Sequence, residues 1–176
     1  PENNWRGITY GNGTFVAVST NGTGSRVMTS ADGITWTSRT SPTQAWRGVT
    51  YGNGTFVAVA TSGGASSQHV MTSSDGVTWT SRVTPDIAWN AVTFGNGVFV
   101  AVANSGSGSR AMTSTDGITW TPQTTPADLA WVGVTYGGGK YVAVADNSQP
   151  ASPATPTAGV MTSTDGATWT LETITQ

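Results

Sequence analysis

Sixteen side chains in this 176-residue protein carry a formal charge at neutral pH, nine acidic and seven basic, and one histidine joins them. Four of the carboxylates, Asp32, Asp75, Asp116 and Asp165, stand in copies of one nonapeptide, M-T-S-x-D-G-x-T-W. Glu2, Asp86 and Asp128 each stand three residues ahead of a Trp, and Thr43 takes the fourth such place. Two chemistries use groups of this kind. Glycoside hydrolysis needs a positioned pair of carboxyl groups, one acid and one base or nucleophile. A ring of carboxylates at a channel mouth holds a hard cation such as Ca²⁺ through oxygen ligands.

The spacing serves neither. The only glutamates, Glu2 and Glu172, lie near the two termini. The six arginines pair off at corresponding places in a repeated text: Arg6 with Arg47, Arg39 with Arg82, Arg26 with Arg110. Corresponding residues of a regular array are spread around it and do not converge on one substrate. Tyr10, Tyr51 and Tyr136, with Phe94 in the third copy, correspond in the same way and read as packing. No enzyme is expected. Thr43 breaks the acidic ring, and Pro85 and Pro126 mark ordinary turns beside it. No metal or other cofactor is expected, Glu2, Asp86 and Asp128 being the weak candidates for one. His69 has no second His or Cys nearby and is expected in a surface loop. Gly137-Gly138-Gly139 lacks the following helix that a phosphate loop needs.

The four nonapeptides describe a reinforced turn. Ser30, Ser73, Ser114 and Ser163 and the Asp two residues on can bond the backbone of their own turn. Gly33, Gly76, Gly117 and Gly166 supply a positive φ. Trp36, Trp79, Trp120 and Trp169 then fall on the returning strand. The four Asp are expected to stabilise the turn rather than to react.

A second text repeats beside the first: WRGITYGNGTFVAVS from Trp5, WRGVTYGNGTFVAVA from Trp46, WNAVTFGNGVFVAVA from Trp89 and WVGVTYGGGKYVAVA from Trp131. The period of 41 to 43 residues lies in the range of propeller blades. Each repeat reads as four short strands. The first, Trp5 to Tyr10, is β-branched and aromatic, and Asn12-Gly13 calls for a type I′ hairpin. The second, Thr14 to Ser19, is apolar without alternation, so both its faces are buried. The third runs about Arg26 to Thr29, and the fourth about Ile34 to Arg39. A four-stranded sheet buried on both faces packs against copies of itself, and radial repetition does this with few exposed edges. The expected fold is all-β: one propeller domain over 1–176, with blades at about 1–41, 42–84, 85–126 and 127–176. Gly7, Gly48, Ala91 and Gly133 on the inner strands let blades crowd towards the axis, and the outer Trp fill the wider gaps.

At this point the residues resemble a known group. Ser30–Trp36, Ser73–Trp79, Ser114–Trp120 and Ser163–Trp169 are similar to the Asp-box, or BNR repeat, of sialidase-like propellers, shortened by one residue between Asp and Gly. The resemblance implies that the box lies on the turn between strands three and four, opposite the ligand face. It raises sialidase-type glycoside hydrolysis as an alternative function. Enzymes of that family use an arginine triad, a tyrosine–glutamate pair and an aspartate on six blades, and this chain does not match that set.

Composition narrows the partners. Only 9% of residues are charged, the net charge is −2, and Lys140 is the only lysine. Such a surface has little field to attract nucleic acid or an anionic membrane. With no cysteine, disulfides and Cys-based metal sites are excluded. A polar-neutral surface fits an extracellular or cell-surface setting. The segments between strands two and three differ most: 20–25, 61–68, 104–109 and the Pro-rich 146–158. Loops that vary on a uniform scaffold are where recognition sits. The expected ligand face carries Asn21, Gln68, Asn104 and Asp146, with Trp5, Trp46, Trp89 and Trp131 at the same mouth offering indoles to a flat or sugar ligand. The function expected is a non-catalytic recognition or structural module, lectin-like or part of a surface assembly, unless the alike copies are simply a product of repeat amplification. Closure is expected from two chains forming an eight-bladed homodimeric ring, or from one chain closing as four blades.

Overall fold

The computed structural model describes residues 2–62, 67–146 and 159–173. Residues 63–66 and 147–158, which include part of the second variable segment and the Pro150–Pro156 stretch, lie outside the described residues.

The described chain forms four four-stranded antiparallel sheets, each a meander in sequence order. The first holds β1 (Trp5–Gly11), β2 (Thr14–Ser19), β3 (Val27–Ser30) and β4 (Thr37–Arg39). The second holds β5 (Trp46–Gly52), β6 (Thr55–Ala60), β7 (Val70–Ser73) and β8 (Thr80–Arg82). The third holds β9 (Trp89–Gly95), β10 (Val98–Ala103), β11 (Ala111–Ser114) and β12 (Thr121–Gln123). The fourth holds β13 (Ala130–Gly137), β14 (Lys140–Asp146), β15 (Val160–Ser163) and β16 (Thr170–Leu171). Asn12 at φ 47° and Gly13 at φ 74° make the tight primed turn that Asn-Gly announces.

Strand four is shorter than the sequence suggests. It begins at Thr37, not at Ile34, because the Asp32 carboxylate takes the amides of Ile34 and Thr35 out of any strand ladder. Trp36 therefore ends the turn and does not lie on the returning strand. Strand three is offset by one residue for a related reason: Ser30 stays paired with Phe15 before the turn begins.

A bulge sits at the start of every inner strand. Trp5 pairs with Ser19 and Gly7 with Val18, leaving Arg6 unpaired, and Arg47, Asn90 and Val132 occupy the same place. The extra residue resets the alternation, so Trp46 shares a face with Val49 and Tyr51. That face packs on the sheet before it: Trp46 joins Val16, Val18 and Val27 of the first sheet in one core cluster. Trp89 packs likewise on Val57, Val59 and Val70, and Trp131 on Val100, Val102 and Ala111. Burying a Trp this fully removes roughly 200 Å² from water, worth about 5 kcal/mol.

The backbones of neighbouring sheets crowd at Gly7 and Gly48, where a Cβ would stand 2.8 Å from the Arg47 carbonyl oxygen and 3.1 Å from the Ala91 Cα, and a ring from the next sheet crowds the end of each inner strand. A Cβ on Gly11 would stand 2.0 Å from Cγ of Tyr51, one on Gly52 2.0 Å from Cγ of Phe94, and one on Gly95 2.1 Å from Cγ of Tyr136. Each ring thus fills the notch that a glycine leaves in the preceding sheet. Gly95→Val should destabilise the protein by about 3 kcal/mol through overpacking, read as a large drop in Tm by circular dichroism.

Candidate functional site

The two edges of the sheets are built differently. One carries the Asn-Gly hairpins and the S-x-D-G-x-T-W turns. There the Asp32 Oδ1 accepts from the Ser30 hydroxyl at 2.8 Å and from the Ile34 and Thr35 amides, both at 2.8 Å. The Ser30 oxygen in turn accepts from the Asp32 and Gly33 amides at 3.3 and 2.9 Å. The Trp36 indole N–H closes the set on the Gly33 carbonyl at 3.2 Å. The same bonds recur around Asp75, Asp116 and Asp165. Donors aimed at a carboxylate favour its charged form. The Thr35 and Ile34 amides and the Ser30 hydroxyl hold Asp32 down from the usual 3.8 to about 2. The Thr78 and Val77 amides do so for Asp75, and the Thr168 and Ala167 amides for Asp165, both to about 2. Asp116 is lowered too, chiefly by the Thr119 amide. A carboxylate held down in this way is a weak base, poorly matched to taking up a proton near neutral pH.

The opposite edge carries the variable segments and the linkers between sheets. The first and third segments are stapled to the stretch that leads into their inner strand. Asn21 Oδ1 accepts from the Asn4 amide at 2.6 Å, and the Ser105 hydroxyl accepts from the Ala88 amide at 2.9 Å. Asn21 and Asn104 are exposed and Gln68 is half-buried, each on its own sheet. Asp146 ends β14 at the same edge.

The tryptophans expected at this mouth correct the sequence reading. Trp46, Trp89 and Trp131 are fully buried. Their indole N–H groups donate to the linker carbonyls of Pro42, Pro85 and Ala127 at 2.8, 3.2 and 3.3 Å. They offer no face to a ligand, because the bulge turns each of them onto the neighbouring sheet. Trp5 has no sheet before it and stays half-buried.

The acids ahead of these tryptophans do not meet either. Asp86 lies 3.7 Å from His69 Nδ1, and Asp128 lies 3.5 Å from Arg110 Nε while accepting from the Gly108 amide at 2.7 Å. Glu2 is exposed on the first sheet. Among the described residues no three His, Asp or Glu side chains gather as metal ligands. His69 is buried and not in a surface loop. Its carbonyl accepts from the Ala60 amide just as the carbonyls of Arg26 and Arg110 accept from Ser19 and Ala103, so it continues the strand ladder. Sequence reading missed this base–acid pairing because the partners stand 17 and 18 residues apart in segments that differ between copies.

The arginines are dispersed. Arg39 and Arg82 donate to Thr29 and Thr72, a slot that Gln123 fills against Thr113 and Glu172 against Thr162. Arg26 donates to the Gly22 and Thr20 carbonyls of its own loop. An open groove of about 340 Å³ does exist, lined by Ser30, Asp32, Thr35 and Arg39 of the first sheet and Asp75 and Val77 of the second. It lies at the turn edge and draws on two repeats, so no single motif announces it.

No protein-family model and no curated protein sequence matches the chain. Solved structures do. YCF48 from Cyanidioschyzon merolae superposes with a TM-score of 0.65 at 17% identity, over 99% of this chain and 57% of that one. YCF48 bound to a D1 peptide gives 0.59 at 13%, over 94% and 51%. A GH74 enzyme from Niastella koreensis gives 0.60 at 20%, over 95% and 24%. The fold is that of a β-propeller. The chain spans about half the length of the two YCF48 structures, at 57% and 51%. The propeller neighbours include enzymes and a peptide binder, and at these identities the likeness is one of fold.

The turn carboxylates generate a pH dependence. Their folded pKa lies below the unfolded value, so the unfolded chain takes up protons first. The stability they contribute is fully present above 3.8 and is lost as pH falls from there towards 2. Tm should fall steeply across that window. Asp165→Ala should lower Tm at pH 7 by about 2–8 °C, for roughly 1–2 kcal/mol, and should flatten the acid slope, as thermal melts across the pH series will read.

Proposed function

We propose that the chain is a non-catalytic recognition module, an Asp-box propeller working outside the cell or at its surface, that takes a neutral glycan on the edge of the variable segments. One observation carries this reading. The turn edge repeats the same hydrogen bonds in all four blades, whereas the opposite edge changes its segment from blade to blade on a fixed frame. Asn21, Gln68 and Asn104 lie there with Asp146 at the same edge, and neutral amide side chains suit hydroxyl-rich ligands better than charged polymers. Recognition rests on these polar groups, since Trp46, Trp89 and Trp131 are covered. The dispersed arginines and the turn carboxylates held in their charged form favour binding over hydrolysis. The working unit is a pair of chains, supported by the two open flanks of the four-blade array.

A glycan array followed by titration calorimetry tests the reading. Asn104→Ala with Gln68→Ala should weaken binding of the best glycan ~10-fold or more, as loss of two polar contacts does. Arg39→Ala in the groove should leave it unchanged. Loss of binding in the groove variant alone would place the site on the other edge. Turnover of a fluorogenic sialoside would establish the hydrolase instead, and capture of peptides with no glycan would replace the ligand class.

A further inference from the structure

The four blades bury three interfaces between them and leave two flanks bare. On the first blade Ile8 and Tyr10 are 62% and 58% exposed, while Val49 and Val92, which correspond to Ile8, are each 8% exposed under a neighbour. On the last blade Val144 is 45% exposed, while Val18, Val59 and Val102 at the same place are fully buried. The flanks are unlike each other and complementary, because each is one half of an interface the protein builds three times internally.

The match extends to the tightest contact. Gly11, Gly52 and Gly95 each receive a ring from the next blade, but a Cβ on Gly137 would meet nothing within 4 Å. Tyr10 is the one aromatic of its set with no notch to fill. It is also preset for one. Tyr10 stacks on Phe15 with centroids 4.6 Å apart at 51°, and the docked Tyr51 stacks on Phe56 at 4.6 Å and 52°. A knob already held in its bound conformation loses little entropy on docking.

We propose that two copies of this chain dock head to tail, the Tyr10 ring of each entering the notch over Gly137 of the other, so that eight blades close into a ring. This rests on the paired unit proposed above and names its junction. Around the anchor, Trp5 and Ile8 of one copy cover Val142, Val144 and Val160 of the other, as Trp46 and Val49 cover Val16, Val18 and Val27 within the chain. A head-to-tail interface makes a closed ring only if its rotation closes, and otherwise a filament. A pair is the smallest assembly in which both flanks of each copy are covered. Two identical junctions then leave no bare flank.

The experiment is light scattering and sedimentation of the full chain at micromolar concentration. The wild type should run at twice the chain mass of 18.0 kDa. Gly137→Val adds its side chain to open space in a single copy and should keep the circular dichroism spectrum and fold, while blocking the notch. Tyr10→Ser removes the knob. Each variant alone should pair ~100-fold more weakly, as loss of a buried aromatic anchor does. Mixing the two should restore a heterodimer, because Tyr10 of the Gly137→Val chain meets an intact Gly137 in the other and rebuilds one junction. A monomeric wild type would overturn both the pair and its junction. A dimer indifferent to both variants would overturn this junction and leave the pair standing. A mixture that stays monomeric would overturn the head-to-tail direction, and a ladder of masses beyond the pair would overturn ring closure.

Discussion

An aromatic ring seated in the notch of a glycine is the contact on which this array depends. Neighbouring sheets approach where one of them has no side chain: backbone meets backbone at Gly7 and Gly48, and a ring meets the strand end at Gly11, Gly52 and Gly95. The ring from the next sheet then fixes both the distance between blades and the angle of the wedge. Everything further out follows from this pinch: the Trp at the bulge fills the space above, and the valines of the second and third strands form the broad surface between. A close-packed interior of this kind tolerates volume change poorly. The spacing of blades is accordingly set by a backbone position and not by the many apolar contacts around it.

The edges of the blades divide two tasks that proteins often combine. The turn edge satisfies its polar groups internally, through one serine oxygen and one carboxylate oxygen used several times each. The loop edge is held differently, by bonds from the described segments to the stretches that flank their sheet. Several of those bonds, such as Thr20 to Asn4 and Ser41 to Gly24, join backbone groups that any sequence supplies. The facing pairs His69–Asp86, 3.7 Å apart, and Arg110–Asp128, 3.5 Å apart, belong to this second edge and differ in chemistry from one sheet to the next.

The sheets, their order and the position of the reinforced turns were legible because they are local. Asn-Gly dictates a primed hairpin wherever it stands, and Ser, Asp and Gly at fixed spacing dictate their own turn. What was not legible is what depends on a neighbour. Tyr10 and Tyr51 sit in the same words, yet one is exposed and the other packed, because position in the array decides it. The tryptophans of the inner strands could not be assigned between channel, ligand and core without the bulge that rotates them. The start of strand four was misplaced because period-two reading has no means of knowing that a carboxylate has claimed two amides. The groove between Asp32 and Asp75 is composed from two repeats and belongs to neither.

The S-x-D-G-x-T-W turn has a bearing on how such a chain came to exist. The bonds of its Ser30 and Asp32 side chains and of the Trp36 indole close within seven consecutive residues, from Ser30 to Trp36. A stretch of gene that encodes one repeat therefore encodes a turn already solvated from within. Duplication or loss of a whole repeat strands no hydrogen-bonding group of that turn. Copy number is thus the easiest property of this molecule to change by recombination, and near-identical wording between copies is what recent exchange of such units leaves behind.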